Sequence, residues 1–127
     1  MRSSLSETLL KRGAQFLAGC GYLLVAVASL VPGEHRPHID GWSGKVEHAL
    51  AYFVLGVLTV IAARRPVNAV RLCLIILAYA AVLEFLQLFA SGRHAAVGDF
   101  MASSLGGIMG ITVATVAMFA PRRVAWN

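Results

Sequence analysis

With 127 residues the chain has room for one domain; 58% of it is apolar and 13% charged, where soluble domains run at roughly 45–50% and about 25%. A water-soluble core of this size has too little interior for so much apolar surface, and the same composition excludes a disordered chain. Cys20 and Cys73 both sit in apolar runs, so no disulfide scaffold is expected, and an integral membrane protein remains.

A membrane-crossing helix takes about 20 mostly apolar residues. Four stretches qualify in chain order, over 14–31, 46–63, 70–90 and 100–120. Pro32, Pro66 and Pro121 stand just past the ends of three of them, where helix stops are expected. The expected fold class is therefore all-α, a four-helix membrane bundle with short loops that takes up residues 1–127 as a single domain. Arg2, Lys11 and Arg12, then an apolar stretch and Ala26-Val27-Ala28 before Ser29, also fit a cleaved signal peptide. The apolar run is nevertheless long enough to span. Basic residues concentrate at the N-terminus, in the middle loop (Arg64, Arg65, Arg71) and in the tail (Arg122, Arg123). The positive-inside rule then puts both termini in the cytoplasm of a cell whose plasma membrane holds the protein. The net charge of +5 reflects that asymmetry and not a nucleic-acid surface, since no basic stripe is interleaved with aromatics.

Polar residues that interrupt the apolar background carry the functional signal. Ionisable side chains within a span cost roughly 2.5–3.5 kcal/mol each, so they face a bundle interior or a watery cavity. In the second span Lys45, His48 and Tyr52 share one face, as do Glu84 and Gln87 in the third and Asp99, Ser103, Gly106 and Gly110 in the fourth. Arg93 lies in the loop between the last two. All of these fall toward the outer side, with Glu84 about 9 Å below that surface. The candidate binding residues are Lys45, His48, Tyr52, Glu84, Gln87, Arg93 and Asp99.

Arg93 and Lys45 suit a phosphate group, one as a planar fork and the other as a point charge. Glu84 is expected to pair with Arg93, Lys45 or protonated His48, and Arg93 with Asp99. Were the protein an enzyme, His48 and Glu84 would be its acid and base. His35, Arg36, His38 and Asp40 read as a solvated loop, because a zinc site needs three or four firm ligands; neither metal nor cofactor is expected. Gly106-x-x-x-Gly110 allows close helix approach, within the monomer or, alternatively, in a homodimer. Trp42 and Trp126 suit interfacial anchors. There is no Gly-rich phosphate loop, HExxH helix or GxSxG elbow.

Lys45-x-x-His48-x-x-x-Tyr52-Phe53-x-Leu55-Gly56, then Glu84-x-x-Gln87, then Arg93 with Asp99, and finally Gly106 and Gly110 resemble the VanZ-like family. The resemblance covers about residues 40–112. It implies a small four-helix membrane protein of the cell envelope, with a link to teicoplanin susceptibility. Two positions depart from the family pattern: Gly44 stands where an acidic residue usually precedes the lysine, with Asp40 a candidate substitute, and Ser103 stands in place of an asparagine. Three functions are compatible. The first is a non-enzymatic protein that binds an anionic lipid headgroup or a lipid-linked cell-wall precursor. The second is an enzyme acting on such a lipid phosphate. The third is a small proton-coupled transporter with Glu84 and His48 as its relay.

Overall fold

The computed structural model describes residues 2–63 and 68–119, with side chains from residue 6 onward. Arg64, Arg65, Pro66, Pro121, Arg122, Arg123 and Trp126 lie outside the described residues. Four helices make up the fold: α1 (Arg2–Leu30), α2 (Gly44–Ala63), α3 (Ala69–Gln87) and α4 (Val97–Phe119), with a short 3-10 turn at Gly33–His35. No strand occurs among the described residues. All four helices are long and apolar enough to cross a membrane.

Three boundaries differ from those expected of the apolar runs alone. α1 begins at Arg2, well before residue 14, because Ser, Glu, Leu, Lys and Arg extend a helix without an apolar face to bury. α3 stops at Gln87. The amides of Leu88, Phe89 and Ala90 reach back three residues, to Phe85, Leu86 and Gln87, so the apolar tail of that run tightens into turns. α4 starts at Val97. Local caps fix two other starts: the Asn68 side chain accepts from Val70 N at 2.9 Å, and the Ser43 carbonyl accepts from Val46 and Glu47.

The centre is made by α2, α3 and α4. Tyr52, Leu55 and Val60 meet Leu72, Ile76 and Ala80 and close on Ile111 and Ala114. Between α2 and α4 the backbones touch. A Cβ built at Gly106 would fall on the carbonyl oxygen of Ala49, and one at Gly110 on that of Phe53; from the other side, a Cβ at Gly56 would meet the Gly107 carbonyl at 2.5 Å. The Gly106/Gly110 face is thus taken up inside the monomer, by van der Waals packing of the kind that replaces the hydrophobic effect between helices in lipid. It is not free for a second copy.

α1 lies against the outside of this trio. Tyr22 anchors it: its hydroxyl shares a hydrogen bond with Thr59 at 2.9 Å, its carbonyl accepts from the Tyr79 hydroxyl, and its ring meets that of Tyr79 edge-on at 4.9 Å. The exterior is apolar, with Phe16, Leu24, Leu74, Phe85, Leu105 and Val116 each more than half exposed. So large an apolar surface is stable in lipid and a liability in water.

The glycine seam makes a stability prediction. Gly110→Leu drives a side chain into the α2 backbone, and unfolding in detergent should show a loss of at least about 1–3 kcal/mol, the range for overpacking. Gly13→Ala, where nothing lies within 4 Å of the new Cβ, should be neutral or gain up to about 1 kcal/mol. Equal effects of the two substitutions would contradict the seam.

Candidate ligand-binding site

The site is built where α1 and α3 end and α2 and α4 begin. Pro32 lacks an N–H and stops α1. Beyond α3 the chain reverses in a turn closed by Arg93 N to the Ala90 carbonyl at 3.1 Å, with Gly92 at φ +68°, a left-handed conformation that glycine adopts without strain. The two loops then lock together: Gly33 N donates to the Ser91 carbonyl at 3.1 Å, and a Cβ on Gly33 would fall on the Gly92 carbonyl oxygen.

This lock aims Arg93 at the end of α1. Its Nη2 donates to the Ala28 carbonyl at 2.6 Å and its Nε to that of Val31 at 3.1 Å. The last carbonyls of a helix have no partner within it and carry the negative end of its dipole, so a guanidinium there satisfies both. The expected ion pair with Asp99 is not formed, because these carbonyls take the fork first. No carboxylate lies within 4.0 Å of Arg93 among the described residues. Burial and the nearby Arg36 guanidinium push its pKa below the usual arginine value, against the pull of Asp99 and Glu84; arginine remains charged regardless.

Glu47 gathers the loop between α1 and α2. Its carboxylate accepts from Arg36 Nη2 at 3.0 Å and from Ile39 N at 2.7 Å, and it lies 2.8 Å from His38 Nδ1. His38 is thereby drawn to Glu47, within what the sequence presents as a solvated loop, while Asp40 stays exposed. Arg36 lies over Gly44, 2.9 Å from where a Cβ would stand.

Between these groups is a cavity of about 470 Å³. Leu24, Val25 and Ala28 give it an apolar wall, and Ser29, Arg36, Glu47, His48, Tyr52 and Arg93 a polar end. Of the seven sequence candidates, His48, Tyr52 and Arg93 line it. His48 Nδ1 is 3.4 Å from Ser103 Oγ and its Nε2 3.8 Å from Asp99 Oδ2, so Asp99 and the serine at the asparagine position steady the ring from α4. Tyr52 is 2% exposed and sits deepest.

The other three candidates stand apart from the cavity. Lys45 is exposed, its stem crossing Gly98. Gln87 is buried in α3. Glu84 accepts a hydrogen bond from Ala96 N, at the start of α4, and borders a separate cavity of about 330 Å³ with Phe85 and Phe100. Its partner is thus a backbone amide and not the expected cation. As an acid–base pair, His48 and Glu84 face different spaces. Ser29, Arg36, His38 and Glu47 are the polar lining residues that the sequence reading missed. Glu47 carried a signal, being an ionisable residue in the first turn of an apolar span and next to His48.

Fold and site together define a multi-pass helical membrane protein with a cavity, apolar-walled and polar at its end, at one end of its bundle. The model of the VanZ/LLP1 family matches residues 10–119, and the chain belongs to that family. Neither a curated protein nor a solved structure matches it.

The loop architecture predicts a local effect. Glu47→Ala removes the acceptor of the Ile39 amide, and hydrogen bonds to charged groups contribute about 1.5–3 kcal/mol. Amide exchange at Ile39 should therefore quicken at least about tenfold while α2 core amides keep their protection. Unchanged exchange at Ile39 would show that Glu47 does not hold the loop.

Proposed function

We propose that this VanZ/LLP1-family protein is a non-enzymatic component of the bacterial plasma membrane whose cavity binds the anionic headgroup of an envelope lipid or lipid-linked cell-wall precursor. One observation carries the reading: Arg93 borders the cavity as a half-buried cation with two carbonyl partners and no carboxylate within ion-pair distance among the described residues. The two carbonyls take Nε and Nη2 and leave Nη1 for an anionic acceptor. Arg36 stands at the same cavity with only its Nη2 engaged by Glu47, so two guanidiniums offer donors in the fork geometry that suits phosphate. Arg36 takes the place that the sequence reading gave to Lys45.

Binding is favoured over hydrolysis because Ser103, although it touches His48, is 3% exposed and lies off the cavity. With both termini cytoplasmic, as the basic residues of the sequence indicate, the cavity faces outward. Holding a cell-wall precursor there would alter its access to glycopeptides, which is how a link to teicoplanin susceptibility would arise.

Titration of the detergent-solubilised protein with dodecyl phosphate, read by native mass spectrometry, tests this. Arg36→Gln and Arg93→Gln should each weaken binding about tenfold or more, in line with charged hydrogen bonds of about 1.5–3 kcal/mol, and Lys45→Gln should change it less than about twofold. Arginine variants that fold and bind like the wild type would refute the proposal.

A further inference from the structure

The cavity does not end at its apolar wall. A second cavity of about 400 Å³ continues it down the crevice between α1 and α2 and shares Leu24, Val25, Ile39, Glu47 and Ala51 with it. Leu50, Val54 and Leu58 line this lower part from α2 and Gly21 from α1. Leu24 is 69%, Leu50 45% and Val54 49% exposed, so the crevice opens sideways where lipid chains lie. At the far end α1 comes close: a Cβ on Gly21 would stand 3.2 Å from Leu58 Cδ1 and 3.3 Å from Leu55 Cδ1. The crevice is therefore closed below and opens above into the space beside Arg36 and Arg93.

Shape and charge together select the occupant. From Glu47 to Leu58 the crevice follows α2 for eleven residues, roughly 16 Å at 1.5 Å each. That length takes a stretch of extended hydrocarbon along α2, and its upper end meets the space lined by Arg36 and Arg93. An apolar crevice ending at two guanidiniums is complementary to an amphiphile with an anionic head and a hydrocarbon chain.

Building on the headgroup reading above, we infer that the ligand is a membrane lipid phosphate, with its phosphate at Arg36 and Arg93 and one of its hydrocarbon chains in the α1–α2 crevice.

Two probes separate the parts of the inference: butyl phosphate and dodecyl phosphate, each titrated against the full chain by native mass spectrometry. Val54→Trp and Leu50→Trp fill the crevice from half-exposed positions that do not border the upper cavity. Both should weaken dodecyl phosphate about tenfold and leave butyl phosphate unchanged. Dodecyl phosphate affinity unaffected by either tryptophan overturns the chain assignment. Failure of the headgroup reading looks different: Arg36→Gln would then leave butyl phosphate binding as it was.

Discussion

The hydrogen bonds from Arg93 to the carbonyls of Ala28 and Val31 organise the site end of this molecule. Within a bilayer no water stands ready to satisfy a helix end, so every terminal N–H and C=O needs a partner from the protein. Here a residue between α3 and α4 completes α1. The same residue thereby fastens the peripheral helix to the trio of α2, α3 and α4 and brings a charge to the mouth of the α1–α2 crevice. The fork spends Nε and Nη2 on carbonyls, and Nη1 remains for another acceptor.

Charges at this end are divided between two tasks. Glu84 supplies an acceptor for the amide of Ala96, and Glu47 gathers Arg36, His38 and the amide of Ile39. Both carboxylates are thus committed to backbone and loop, and neither neutralises Arg93. His48 is directed at Ser103 and Asp99 on α4 and leaves its ring as cavity lining. The resulting cavity has two guanidiniums and one carboxylate in its lining and an apolar continuation.

Much of the fold was legible because the membrane imposes a simple code. Long apolar runs located all four spans, and Gly106-x-x-x-Gly110 announced a close helix contact that α2 fills. The polar end was legible only in part. His48 and Tyr52 broke the apolar pattern of the second span, Arg93 stood in the loop after the third, and all three line the cavity. Arg36 lay in a polar loop that looked solvated, and nothing local showed that Glu47 would fold it inward. The partner of Arg93 was misjudged because Asp99 is six residues away in sequence, whereas Ala28 and Val31 are brought near only by the packing of α1 and the Gly33–Gly92 contact. Glu84 was read as needing a cation, yet a backbone amide at a helix start, with its partial positive charge, meets the same need.

The central claim is that an anionic headgroup sits between Arg36 and Arg93. Solid-state NMR of the protein carrying ¹⁵N-labelled arginine, in bilayers doped with dodecyl phosphate, measures this directly through ³¹P–¹⁵N dipolar dephasing. Charge-assisted hydrogen bonds of about 2.7–2.9 Å from nitrogen to oxygen place phosphorus about 4 Å from the guanidinium nitrogens. The account predicts dephasing of arginine side-chain signals at that distance, lost in the Arg36→Gln, Arg93→Gln double variant. Full arginine signals without phosphorus dephasing, in a protein that holds its helices, would contradict it.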